Sequence, residues 1–106
     1  MTIVNVNAGS CGFTARIEVS KTGARTVSVS ISSDCEAVEK WGDKLRLVNW
    51  RDCLGKNALS SPIFVFAADC LRHVTCPVPI GLLKAIEVEI GASLPADATI
   101  RFLPGK

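Results

Sequence analysis

The chain has 106 residues, 48% of them hydrophobic and 21% charged, a size and composition that fit one domain, 1–106, and exclude a disordered polypeptide. Twelve Lys and Arg against ten Asp and Glu leave a formal charge of +2, too balanced for a nucleic-acid-binding surface. No apolar run reaches the roughly 18 residues of a membrane span, and the start Met-Thr-Ile-Val-Asn-Val-Asn lacks the charged and apolar regions of a signal peptide, so a cytoplasmic protein without a membrane partner is expected.

The first third reads as strands. Ile3, Val4 and Val6 form a short β-prone run. Ala15, Ile17 and Val19 alternate with Arg16, Glu18 and Ser20, and Val27, Val29 and Ile31 alternate with Ser28, Ser30 and Ser32. This period of two predicts a β-hairpin with one buried and one Ser/Thr-rich face. Lys21-Thr22-Gly23-Ala24 is its turn, with Gly23 available for a positive φ.

The period then becomes helical. Ser33-Asp34 supplies N-cap candidates, Glu36 and Glu39 suit a first turn, and Val38, Trp41 and Leu45 form the apolar stripe. Gly42 weakens this helix by up to about 1 kcal/mol relative to Ala. Residues 46–60 read as a connector with a helical turn around Asp52–Leu54. A second helix is expected from Pro62 to about Leu71, with Ile63, Phe66, Ala67 and Cys70 on one face. A third starts near Pro79, carries Leu82, Leu83, Ile86 and Ile90, and ends at Gly91. Glu87 and Glu89 are expected on a solvated face. Ala98 to Leu103 reads as a last short strand closed by Pro104. The expected fold is α+β: a small antiparallel sheet, made of an N-terminal β-hairpin plus short edge strands, with about three helices packed on one face.

Five cysteines are the compositional outlier. Without secretion signals they point to metal or redox chemistry rather than a disulfide framework. Cys11, beside Gly12, lies in the loop before the hairpin, Cys35 at the start of the first helix, and Cys76 just before the third. Free N–H groups and the helix dipole at an N-terminus favour a thiolate, which is both nucleophile and metal ligand. Cys35 and Cys76 are therefore the candidate reactive thiols, with Cys11 carried into position by a glycine-bearing loop. Asp34 or His73 is available as a fourth ligand or proton acceptor. Three cysteines plus one oxygen or nitrogen suit zinc, and thiolates suit iron–sulfur clusters. Cys70 reads as core, and Cys53 leans structural. One His, no Tyr and no nucleophile-elbow, dinucleotide or P-loop motif give an enzyme no support.

The order of Cys11-Gly12, a hairpin, Cys35 at a helix start, and His73 and Cys76 before an apolar helix resembles the IscU/NifU-type iron–sulfur scaffold proteins over about Cys11 to Gly91. The resemblance implies that Cys11, Cys35 and Cys76 occupy the three cysteine places and His73 the histidine place of one exposed site. It implies assembly of a [2Fe–2S] cluster or binding of zinc there, with a cysteine desulfurase or cluster-acceptor proteins as partners. The chain departs from the family at Phe13, where an Asp is usual, and at Ser33-Asp34-Cys35-Glu36, where the cysteine is usually flanked by glycines. Val74-Thr75 separates His73 from Cys76, which the family keeps adjacent, and the chaperone-binding Leu-Pro-Pro-Val-Lys segment is absent.

Two other readings stand beside a metal site. One is a thiol redox or sulfur-carrier protein without metal, using a low-pKa Cys35 or Cys76. The other is a non-catalytic interaction module with structural cysteines, forming a homodimer through the edge of the 98–103 strand.

Overall fold

The alternating apolar residues of the N-terminal third do form a sheet. The structure, a computed structural model, describes residues 1–55 and 57–105; Lys56, inside the expected connector, lies outside the described residues. Strands β1 (Thr2–Asn7), β2 (Thr14–Lys21), β3 (Thr26–Ser33) and β4 (Leu47–Asn49) pair antiparallel in the order β1-β2-β3-β4. Val4 faces Ile17, which faces Ile31, and Val19 faces Val29, so one apolar row runs across the sheet. Ile17, Val19 and Val27 are wholly buried, while the Ser-rich alternate positions of β3 are less covered.

The described helices are α1 (Glu36–Asp43), α2 (Trp50–Cys53), α3 (Pro62–Cys70) and α4 (Val78–Glu89), with a 3₁₀ turn at Ala58–Ser60. α1 packs on β3, and α4 lies over β1 and β2. The fold is thus α+β as the order of elements predicts, with one more helix. Gly42 has a packing role: a Cβ there would stand 3.0 Å from Cβ of Ile31, so the glycine lets α1 approach β3. Gly81 does the same for α4, since a Cβ would run into Val6. The indole N–H of Trp41 donates to the carbonyl of Ile63 at 3.0 Å, tying α1 to α3 inside the core.

Several local expectations are corrected. Gly23 does not use a positive φ; Gly9, Gly12 and Gly91 do. Space constrains Gly23 instead, because a Cβ would come within 2.8 Å of Thr26 Oγ1. The 46–60 connector contains β4, a three-residue strand too short to show a period. α2 begins at Trp50, capped by the Asn49 side chain, which accepts from Arg51 N–H at 2.9 Å. Residues 98–103 form no strand, and Gly91 to Gly105 is exposed throughout. α4 closes on Gly91 at φ 81°, with Gly91 and Ala92 N–H groups bonded back to Val88 and Glu87 carbonyls. Beyond that closure the segment finds no ladder partner among the described residues. Among the described residues, no helix is long and apolar enough to cross a membrane.

Glu89 is the other correction. It is not on a solvated face: its side chain is only 12% exposed. It accepts from Thr2 Oγ1 at 2.7 Å and from Lys21 N–H at 2.9 Å, and the amino terminus stands 3.4 Å away. These donors, the Thr2 hydroxyl foremost, hold its carboxyl below the usual carboxylate value. One side chain therefore joins the end of α4 to β1 and β2.

Candidate functional site

Three chain junctions meet at the other end of α4 and line a cavity of about 600 Å³. They are the β1–β2 loop, the β3–α1 junction and the α3–α4 loop. The five candidate residues, Cys11, Asp34, Cys35, His73 and Cys76, all border this cavity.

Each junction holds its cysteine by local hydrogen bonds. In the first, Ala8 N–H donates to Phe13 C=O at 3.0 Å and Gly12 N–H to Gly9 C=O at 2.9 Å, with φ of 86° at Gly9 and 77° at Gly12. Only residues without a Cβ adopt such angles readily. Cys11 is thereby presented, exposed, in a tight turn; the glycine that reads as flexibility in sequence serves a defined conformation.

In the second, Ser33 and Glu39 form a clamp. Ser33 Oγ donates to Thr14 C=O at 2.7 Å and accepts from Cys35 N–H at 3.1 Å, while Ser33 N–H donates to Glu39 Oε1 at 2.7 Å. Ser33 and Glu39 thus brace the entry to α1. Cys35 itself is the N-cap residue, in extended conformation, and its thiol makes no capping hydrogen bond, which leaves the half-buried sulfur available to the cavity.

In the third, Cys76 N–H donates to His73 C=O at 3.2 Å. This turn brings positions 73 and 76 together although Val74-Thr75 separates them. Cys76 is half-buried and takes a hydrogen bond from the Val78 N–H at the first position of α4. That bond lowers its pKa, as a helix start should, but burial outweighs it and pushes the thiol up. Negative charge on Cys35 and on Cys11 adds to the rise. The expectation of a depressed Cys76 pKa is therefore corrected: the helix terminus contributes and desolvation prevails. All three thiols border the same cavity.

The remaining cysteines stay out. Cys53 is buried with its thiol pushed up to about 11, first by burial and then by Asp52, so it is inert near neutrality. Cys70 packs half-buried against the core. The cavity also contains groups that the sequence reading passed over, namely Arg72 and the apolar wall of Phe13, Val38, Leu71 and Val78. Arg72 adjoins His73, and a cation beside the one histidine was the available clue.

The donor chemistry fits a thiophilic group, with three thiols, an imidazole and a carboxylate around one open cavity. Among the described residues, however, no three His, Cys, Asp or Glu side chains already stand close enough to hold one ion. The donors are gathered without being assembled into a coordination shell.

A family of unknown function, DUF6951, matches residues 2–102. The chain belongs to this family. The match takes in all three cavity cysteines, and it continues past α4 through Phe102. No curated protein and no solved structure matches the chain.

Proposed function

We propose that this DUF6951 protein is a small non-enzymatic carrier that takes a thiophilic centre, a [2Fe–2S] cluster or zinc, at Cys11, Cys35 and Cys76, with His73 or Asp34 as the fourth ligand. The convergence of three cysteines from three separate junctions on one cavity carries the reading. A structural zinc site is closed and contributes folding energy outright. Here the core lies between the sheet and the helices, and no buried side-chain nitrogen or oxygen among the described residues lacks a partner. The cavity lies outside this core, which suits a bound centre that is cargo to be loaded and released. An exposed Cys11 and an open cavity suit that traffic. The resemblance to IscU/NifU-type scaffolds supports a cytoplasmic role, with a cysteine desulfurase and cluster acceptors as partners.

The test is metal and acid-labile sulfide content of protein purified without oxygen, wild type beside Cys35→Ala. Iron with sulfide, or zinc, is expected in the wild type and lost in the variant. Metal that is absent from the wild type, or unchanged in the variant, overturns the proposal.

The absence of a ready-made metal cluster among the described residues favours a second reading, a metal-free sulfur carrier. Its thiol would be Cys35, whose sulfur is not engaged in capping. Alkylation of Cys35 at pH 7 faster than a free thiol's is its expected signature.

A further inference from the structure

The segment after α4 stands apart from the rest of the chain. Gly91 to Gly105 is exposed at every position, and beyond Ala92 no described residue of it makes a backbone hydrogen bond to another element. Yet Leu94, Ile100, Phe102 and Leu103 are between 78% and 95% exposed. The molecule measures 50 × 29 × 25 Å, elongated for its length. Four large apolar side chains in water mark an interaction site rather than a solvated end. The family match running to Phe102 makes the segment part of the domain.

The same chain carries a place for it. β1 is an edge strand with its outer backbone groups unpaired by any other strand, and such an edge templates pairing. Its inner face is incompletely covered: Val4 and Val6 are half-buried, while Ile17 and Ala15, their partners on β2, are buried. Ile3 on the outer face is exposed. β1 has six residues, matching the β-prone run 98–103. In an extended strand Ile100 and Phe102 share one face, which would complete the cover over Val4 and Val6.

We propose that the protein is a symmetric homodimer in which residues 98–103 of each copy add as a strand to the free edge of β1 in the other. In the single chain residues 98–103 form no strand and stay exposed although the end of α4 stands beside Thr2 of β1, so a second copy supplies the strand that this edge lacks. Reciprocal exchange caps both edges and buries both tails at once, and the two-fold operator closes the assembly. The cavity lies at the opposite end of α4, and the dimer does not depend on it: Cys35→Ala stays dimeric.

Sedimentation equilibrium of the full chain from micromolar to millimolar concentration tests this, with Phe102→Asp and Ile3→Lys beside the wild type. The wild type is expected to dimerise. Phe102→Asp, at a position exposed in the single chain, is expected to keep the far-UV circular dichroism spectrum and to raise the dimer dissociation constant more than about tenfold, the loss of roughly one buried aromatic per tail. Ile3→Lys is expected to weaken the dimer from the receiving side. A wild type that is monomeric throughout overturns the proposal. So does a dimer indifferent to Phe102→Asp, or a monomer whose 98–103 amides resist hydrogen exchange because the tail pairs within its own chain.

Discussion

The two ends of α4 are built to opposite plans. At the C-terminal end, Glu89 gathers Thr2 Oγ1 and Lys21 N–H, and the Gly91 closure satisfies the last carbonyls. At the N-terminal end, three half-buried or exposed thiols surround an open cavity of about 600 Å³. One end of a helix welds the sheet, and the other leaves three thiols around an open cavity. The contrast teaches that this small domain keeps the contacts that hold it together apart from its open, thiol-lined cavity, although barely three helical turns lie between them.

The sharpest way to break the contrast is to remove what both ends share. Leu82→Ala empties a wholly buried site in the middle of α4 and is expected to cost about 2–5 kcal/mol in chemical denaturation. Both the Glu89 contacts and the cavity should loosen together. A loss under about 1 kcal/mol would mean that α4 is not the common support.

Glu89→Gln acts on the closed end alone, with an expected loss of about 1–2 kcal/mol near neutral pH, since hydrogen bonds to a charged group are weakened. The sign of its pH dependence follows from its depressed carboxyl. The stabilisation is present above the ordinary value near 4.5 and disappears as pH falls through the lower value of the folded state. Thermal melting of the wild type should therefore lose more stability on acidification than melting of Glu89→Gln. Parallel profiles would remove the clamp from the account.

At the open end the effects are kinetic. Alkylation followed by peptide mapping at pH 8 should label exposed Cys11 first and Cys53 last, because Cys53 is buried and its thiol lies at about 11. Cys76 should respond only at higher pH than an unburied thiol. Equal rates at the three positions would erase the distinction between cavity and core thiols.

Much of this was legible from local pattern. Ala15, Ile17 and Val19 announce a half-buried strand by period alone, and Leu82 and Ile86 announce the buried face of α4. Pro62 marks the start of a helix and Gly91 the end of one. Cys11, Cys35 and Cys76 stood out because each sits at an element boundary, and boundaries at one end of a sheet come together. β4 stayed hidden because three residues show no period, and its pairing with Thr26, Val27 and Ser28 is a non-local fact. Ala98 to Leu103 has the pattern of a strand, but a strand exists only with a partner, and none stands beside it among the described residues.

The sequence by itself determined the order of β1 to β3, α1, α3 and α4 and the apolar face that each of them buries, because these depend on side-chain spacing and on caps a few residues away. Only the tertiary structure decided that Glu89 is a clamp and not a solvated acid, that Gly42 and Gly81 are there for close approach, and that Cys76 is held above the ordinary thiol value despite its place before a helix. Each of those outcomes depends on atoms distant along the chain. Burial, close approach and desolvation are sums over neighbours in space, and no window of sequence contains them.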